Sequence, residues 1–132
     1  MYLGDNQNTD ANRELIKKID ANFLRVELYF KDQHFLLSRD DLPFIVGRED
    51  SSCHVVNNSA TTSRIHCIIC FKEHRIGILD QSKNGTAVKL GRSEPVLVHN
   101  EFFPLSGQGY IKPGAKIELT DNDLIMYKVI TR

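Results

Sequence analysis

Three short polar elements could do chemistry together, and their residue types suggest that they bind an anion. They are Gly47-Arg48, Ser63-Arg64-Ile65-His66, and Asp80–Thr86, which reads Asp-Gln-Ser-Lys-Asn-Gly-Thr. Each lies where a short apolar run gives way to a polar loop. A scaffold that brings these loops to one end would join their donors into a single site.

Arg48 is the residue in this set that best suits a phosphate group. A phosphomonoester near neutral pH has between one and two negative charges and three strong acceptor oxygens. A guanidinium is permanently charged and can donate two parallel N–H bonds to it. Ser63 adds a hydroxyl donor, and backbone N–H groups beside it could complete an anion-binding concavity. Taken alone, Arg48 is a solvated surface arginine and Ser63 an ordinary turn serine, so these interpretations stay open.

Ser63 and His66 also invite a catalytic interpretation, which the sequence does not favour. No Gly-x-Ser-x-Gly turn surrounds the serine, and no carboxylate is placed to orient the histidine. A small Ser/His hydrolase is therefore our weakest hypothesis. Cys67 and Cys70 do not indicate a metal site, because strand residues three apart point to opposite faces, and the other histidines are scattered: His34, His54, His74 and His99. We expect no enzyme activity, no cofactor and no metal.

Together with the run Leu124–Ile130, the three elements resemble the signature of the forkhead-associated (FHA) domain family in order and spacing. The resemblance covers about Phe23–Arg132. It implies an all-β, antiparallel sandwich whose loops at one end bind a peptide containing phosphothreonine. An FHA-fold scaffold that does not require phosphate is the alternative, and the presence of Arg48, Ser63 and Asn84 weighs against it.

The resemblance also implies a role for each motif residue. Arg48 and Ser63 would contact the phosphate, and the side-chain amide of Asn84 would bond the peptide main chain. Arg64 could add a second positive group. Other loop residues would contact the peptide or help to select the side chain after the phosphothreonine: Thr61, Thr62, Ser82 and Lys83. The remaining motif residues would be structural, with a buried His66 bonding the loop that presents Ser63: Gly47, His66, Asp80, Gly85 and Thr86.

Two stretches depart from a simple family pattern. Family members commonly have an Asp-Ile-like pair where this chain has Cys53-His54 before Val55-Val56, which leaves the shape of the preceding loop open. The stretch Val98–Gly109, with Phe102 and Phe103, is longer than a simple hairpin. It is therefore a candidate to cover a sheet edge or to form a partner surface.

Alternating apolar and polar residues predict the strands that position these loops. From Leu24 to Phe30 every second residue is apolar, which is typical of a half-buried strand. We interpret Phe102–Tyr110 as a loop because of Pro104, Gly107 and Gly109. Turn residues separate ten further short runs, so we predict about eleven strands in a sandwich or barrel: His34–Leu37, Phe44–Val46, His54–Val56, Ile65–Phe71, Arg75–Leu79, Thr86–Leu90, Pro95–Val98, Gly109–Ile111, Lys116–Leu119 and Leu124–Ile130.

The pair Asn84-Gly85 predicts a tight hairpin turn. Both central residues of a type I′ turn need positive φ, which Asn and Gly tolerate better than other residues. A structural role for Gly85 follows from this chemistry alone. A ligand contact for Asn84 follows only from the family resemblance.

Composition limits the classes of partner. The 132 residues fit one domain with a real core. Because 17 Lys and Arg balance 17 Asp and Glu, no basic field attracts nucleic acid or membrane surfaces. We expect neither nucleic-acid binding nor membrane insertion, and any anion must be held by local geometry. Three cysteines and no secretory segment favour a reducing compartment, so we expect a cytoplasmic protein.

The polar segment 1–22 is predicted to be a tail or linker before an FHA domain at 23–132. Within it, Asp10–Ile19 has the pattern of a short helix with Leu15, Ile16 and Ile19 on one side. A helix of about ten residues is marginal alone and needs a surface to pack on. Since FHA domains usually serve larger proteins, we expect the recognition part of a signalling protein, monomeric by itself. Its partner would be a phosphothreonine-containing protein, such as a Ser/Thr kinase substrate.

Overall fold

The computed structural model describes residues 25–114, 117 and 123–130, which form two β-sheets packed face to face. The predicted all-β sandwich is confirmed. One short 3₁₀ helix, η1, spans Arg39–Asp41. The described residues form eleven strands: β1 Arg25–Phe30, β2 Gln33–Ser38, β3 Phe44–Gly47, β4 Val55–Val56, β5 Cys67–Lys72, β6 Arg75–Asp80, β7 Thr86–Leu90, β8 Val96–Val98, β9 Phe102–Pro104, β10 Gln108–Pro113 and β11 Ile125–Ile130.

The six-stranded sheet has the order β2-β1-β11-β10-β7-β8, and the five-stranded sheet has the order β4-β3-β5-β6-β9. Neighbouring strands pair antiparallel except β3 and β4, which run parallel. The predicted antiparallel sandwich is confirmed, and this short parallel pair is the exception within it. A long loop rather than a hairpin turn connects β3 to β4. The loop allows β4 to lie beside β3 and to run in the same direction.

The core lies between the sheets and follows the alternation seen in the sequence. In β1, Val26, Leu28 and Phe30 point inward and are at most 3% exposed. Phe44 and Ile78 fill the opposite side from the five-stranded sheet. Tyr127 is fully buried, and its hydroxyl donates a hydrogen bond to the Ser106 carbonyl at 3.3 Å. The tyrosine can be buried because its polar end has this partner.

The predicted hairpin turn at Asn84-Gly85 was wrong. Gly85 has a positive φ of 91°, but Asn84 does not, and the strands on either side belong to different sheets. A two-residue hairpin turn with positive φ at both residues lies instead at Glu73-His74 between β5 and β6, with φ of 53° and 67°. The pairing of β5 with β6 therefore determines this turn, although Glu and His are not residues that favour such turns.

Strand β9 replaces the loop predicted for Phe102–Tyr110. It pairs with β6 and forms an edge of the five-stranded sheet, which agrees with the expectation that this stretch covers an edge. Pro104 is tolerated there because an edge strand leaves N–H groups unpaired on one side. The Phe102 ring lies over Gly77, where a Cβ atom would be only 2.5 Å from Cζ of that ring.

Some predictions fall outside the described residues. These are the tail helix over Asp10–Ile19, the domain boundary after residue 22, and the strand over Lys116–Leu119, of which only Ile117 is described and is not in a strand. They stay predictions. Across the part of the chain that the structure describes, no helix is long and apolar enough to cross a membrane.

A matched pair of leucine substitutions tests the placement of the core. Leu28 is fully buried, whereas Leu97 is 50% exposed. We expect Leu28→Ala to lower the free energy of unfolding by about 2–5 kcal/mol through lost burial and a residual cavity. Leu97→Ala should cost much less, about 1 kcal/mol or below. Urea denaturation measures both, and equal losses would contradict the assignment of the inner face.

Candidate functional site

The three polar elements of the sequence meet at one end of the sandwich. They lie on the loops β3–β4, β4–β5 and β6–β7. The Arg48 N–H donates to the carbonyls of Ser63 and Arg64, both at 3.0 Å, and Glu49 N–H donates to the Arg64 carbonyl at 3.1 Å. The main chain at Arg48 is therefore fixed directly against the loop that carries Ser63.

Gly47 is required by this close approach. A Cβ atom at Gly47 would collide with the Arg64 carbonyl and lie 2.9 Å from Sγ of Cys53. The Cys53 thiol donates a hydrogen bond to the same carbonyl at 3.3 Å, and burial raises the pKa of that thiol, which keeps it in the donor form. Both residues of the unusual Cys53-His54 pair therefore stabilise the β3–β4 loop through hydrogen bonds. The Nδ1 atom of His54 accepts a hydrogen bond from Ile45 N–H at 2.9 Å.

Ser63 connects two of the loops. Its Oγ accepts a hydrogen bond from Lys83 N–H at 3.1 Å. This bond uses an oxygen lone pair and leaves the hydroxyl proton available to a ligand. The side chain is partly exposed, beside the exposed Arg64. Ser63 can therefore donate to an anion while the loop below it stays fixed.

His66 is fully buried and bonds both neighbouring loops. Its Nδ1 accepts a bond from Ser63 N–H at 3.0 Å, so Nε2 must hold the ring proton and donate to the Gly85 carbonyl at 2.8 Å. The same carbonyl accepts Gly114 N–H at 2.9 Å. Burial lowers the pKa of His66, although the Gly85 carbonyl and the charge of Asp80 oppose this effect. Only the neutral ring can accept from Ser63 N–H, so protonation of His66 would break that bond.

Asp80 holds the β6–β7 loop in shape. Its buried carboxylate accepts four hydrogen bonds, from Ser82 Oγ and Thr86 Oγ1 at 2.7 Å, Asn100 N–H at 2.9 Å and Ser82 N–H at 3.2 Å. Burial by itself would raise the pKa of Asp80, but these donors stabilise the charged form and the net effect lowers the pKa. Ser82 Oγ in turn accepts Gly85 N–H at 2.7 Å.

Four of the predicted site residues present exposed side chains at this end: Arg48, Arg64, Lys83 and Asn84. Arg64 forms an ion pair with Glu49 at 3.6 Å. Both side chains are substantially solvated, so this pair contributes little and can open for a ligand. Within the described part of the chain, the guanidinium of Arg48 has no hydrogen bond or ion pair.

The structure does not place the side chains of Ser82 and Thr62 on the surface, contrary to the prediction that they contact a peptide. Ser82 is 4% exposed, and its hydroxyl is occupied by Asp80 and Gly85 N–H. Thr62 is 2% exposed, and its Oγ1 has no hydrogen-bond partner among the described residues. The sequence could not show this, because a loop residue that stabilises the loop and one that contacts a ligand are equally polar.

Asn57 and Asn100 also help to hold the site, although the sequence did not predict a role for either. Asn57 N–H donates to the Gly47 carbonyl at 2.8 Å, and its Oδ1 accepts Ser59 N–H at 2.9 Å. The Asn57-Asn58-Ser59 cluster signalled a turn, but not its contact with Gly47. Nothing in the local sequence indicates that Asn100 N–H reaches Asp80, twenty residues earlier. In the described ranges, no group of three His, Cys, Asp or Glu side chains could hold a metal ion.

Comparison with known proteins agrees with the fold and the motifs. Residues 44–102, which contain all three loop elements, match the family model of the FHA domain. The resemblance drawn from the motifs is thus confirmed for this part of the chain, and the fold agrees with solved FHA domains. No curated protein sequence matches the chain.

Solved FHA structures share the fold at low sequence identity. A MEK1 FHA domain in complex with a HOP1 phosphothreonine peptide is 18% identical, with a TM-score of 0.58 over 79% of this chain and 95% of that one. The N-terminal FHA domain of Rad53p from S. cerevisiae, in complex with a phosphothreonine peptide, is 20% identical, with a TM-score of 0.57 over 83% and 94%. The FHA-1 domain of Rv1747 from Mycobacterium tuberculosis is 16% identical, with a TM-score of 0.54 over 80% and 96%.

The neutral state of His66 predicts a pH dependence of stability. Its pKa is lower in the folded chain than the ordinary value of 6.5, so the unfolded chain takes up a proton first as the pH falls. Stability should therefore decrease from about pH 6.5 down to the folded pKa. Urea denaturation between about pH 7.5 and pH 5 should show a smaller decrease for His66→Gln, which cannot be protonated. The other histidines are common to both proteins, so equal slopes would contradict this assignment.

The four bonds to Asp80 predict a large effect of removing its charge. In Asp80→Asn, an amide NH₂ replaces one acceptor oxygen and faces N–H or O–H donors. We expect a loss of about 3 kcal/mol in the free energy of unfolding. Asp40→Asn, on an exposed position of η1, is the matched control and should change it by about 0.5 kcal/mol or less. Equal denaturation midpoints for the two variants would show that Asp80 does not organise the loop.

Proposed function

We propose that this domain binds proteins through phosphothreonine, with the phosphate held by Arg48 and Ser63. The main support is the state of Arg48. Its backbone N–H is bonded to two carbonyls of the neighbouring loop, whereas its exposed guanidinium has no partner in the described part of the chain. A main chain that is held in place and a permanently charged guanidinium with free N–H donors suit a tetrahedral anion.

The other loop residues extend this site toward a peptide. The Ser63 hydroxyl lies on the same bonded loop and has a proton to donate. Asn84, exposed beside Lys83, offers an amide that can donate to and accept from a peptide main chain at once. Arg64 can turn from its solvated ion pair with Glu49 toward the phosphate.

Anion affinity in this chain depends on local geometry. Its net charge is zero, so recognition must come from short-range, charge-assisted hydrogen bonds rather than from a long-range field. The relatives solved with phosphothreonine peptides, the MEK1 and Rad53p domains, support the same use of this fold here.

The activity we propose is binding without turnover. His66 uses both ring nitrogens in structural bonds, and it contacts the Ser63 main-chain N–H rather than the hydroxyl. It is therefore not positioned to activate Ser63 as a nucleophile. We further propose that the domain acts in the cytoplasm as the recognition part of a larger signalling protein, and that it binds substrates of Ser/Thr kinases.

Removal of the Arg48 guanidinium should abolish most of the affinity for phosphate. Hydrogen bonds to charged groups contribute about 1.5–3 kcal/mol, so we expect Arg48→Ala to weaken phosphothreonine-peptide binding roughly 10- to 100-fold. Arg48→Lys should recover only part of this loss, because a lysine cannot form the forked pair of bonds. Isothermal titration with the best peptide from an oriented phosphothreonine library measures both.

Arg75→Ala is the matched control, since Arg75 is exposed at the start of β6, away from the three loops. It should bind like the unmodified chain, and all variants should unfold at similar denaturant concentrations. The same peptide without phosphate tests the alternative of a phosphate-independent scaffold. Equal affinity for both peptide forms, or unchanged binding by Arg48→Ala, would refute the proposal.

A further inference from the structure

The exposed apolar side chains of this protein are concentrated on one sheet. Among the described residues, all five large hydrophobic side chains classed as exposed belong to the six-stranded sheet: Tyr29, Leu36, Val96, Leu97 and Met126. Three of these, Tyr29, Leu36 and Met126, lie on the surface that faces away from the core, which we call the outer face. Their exposed fractions are 39%, 58% and 45%.

The outer face carries a continuous row across four strands. His34 pairs with Tyr29, Tyr29 with Met126, and Met126 with Tyr110, so these four side chains share one face. The Tyr29 and His34 rings are stacked, with centroids 4.4 Å apart and planes 5° apart. At about 4.8 Å between strands, the row is roughly 14 Å long. We call it the aromatic row.

A cleft lies at one end of this row. It has a volume of about 240 Å³, and Tyr110 and Met126 from the aromatic row form part of its wall. Gly91 and Arg92 of the β7–β8 loop line another part of the cleft. Pockets for small-molecule ligands are usually larger, about 300–1,000 Å³. The cleft therefore suits an aliphatic side chain of a docked segment better than a free ligand.

We propose that the segment Asp10–Ile19 of this same chain docks on the outer face as a short amphipathic helix. Leu15, Ile16 and Ile19 are spaced i, i+1 and i+4, which places them on one side of a helix. These side chains pack on the aromatic row, and one of them enters the cleft. The row supplies the surface that a helix of about ten residues needs in order to form.

Chain length and connectivity favour this occupant over a separate partner. The six residues from Ile19 to Arg25 span at most about 20 Å, and Arg25 begins β1, which carries Tyr29 of the row. A ten-residue helix is about 15 Å long, which matches the roughly 14 Å of the row. Because the segment is tethered to the same sheet, its effective concentration at the outer face is high.

Docking should be a reversible equilibrium. The gain from burial of three aliphatic side chains is of the same order as the entropy cost of ordering the segment. The segment has three basic residues and two acidic ones, so its net charge of +1 contributes little to its approach: Arg13, Lys17, Lys18, Asp10 and Glu14. The apolar contacts therefore decide the equilibrium.

The rate of Met126 oxidation by hydrogen peroxide tests the proposal in the full chain. Peptide-level mass spectrometry separates Met126 from Met1, and a docked segment shields its thioether. We expect Leu15→Ser/Ile19→Ser to oxidise several-fold faster at Met126 than the unmodified chain. The matched control Arg13→Ser/Lys17→Ser makes the same change on the opposite side of the helix and should oxidise like the unmodified chain.

Two outcomes would overturn the proposal. Equal Met126 oxidation rates in all three proteins would show that the segment does not cover the outer face. A rate that rises on dilution of the unmodified chain would assign the protection to a second copy. Urea denaturation of each variant confirms that the core is intact, since the substituted positions precede the first strand of the sandwich.

Discussion

The buried ring of His66 is the interaction on which the binding end of this domain depends. By accepting from Ser63 N–H and donating to the Gly85 carbonyl, it joins the β4–β5 loop to the β6–β7 loop. Buried polar groups without partners are costly, so the two bonds favour one relative position of the loops. The position of Ser63 beside Arg48 is a consequence of this link and of the bonds from Arg48 N–H.

Asp80 holds the β6–β7 loop, which carries Asn84, in one conformation. Its carboxylate collects two hydroxyl and two backbone donors that would otherwise be buried without acceptors. The polar residues of this end therefore form two groups. Inward ones hold the loops rigid, and outward ones, led by Arg48 and Asn84, remain available. Rigid loops reduce the ordering cost of binding, which matters in a chain with no net charge to attract its ligand.

The fold was largely predictable where a strand buries only one face. A period of two fixes which residues point inward, as in β1, whatever the neighbouring strands are. Predictions failed where pairing between distant segments overrode local preference. Pro104 suggested a loop but lies on an edge strand, and Asn84-Gly85 suggested a hairpin but connects the two sheets, while Glu73-His74 forms a tight turn without a favourable sequence.

By itself, the sequence determined the residue types of the site and their order along the chain. These are an arginine after a glycine, a serine three residues before a histidine, and the loop Asp80–Thr86. These are chemical properties of single side chains and survive in any fold. Only the tertiary structure decided which polar side chains face the ligand and which face inward. Ser82 and Arg48 are both polar loop residues, and the difference is that Asp80 lies within hydrogen-bond reach of Ser82, whereas nothing in the described chain occupies the guanidinium of Arg48. Such distances are set by the packing of the two sheets, which no local pattern encodes.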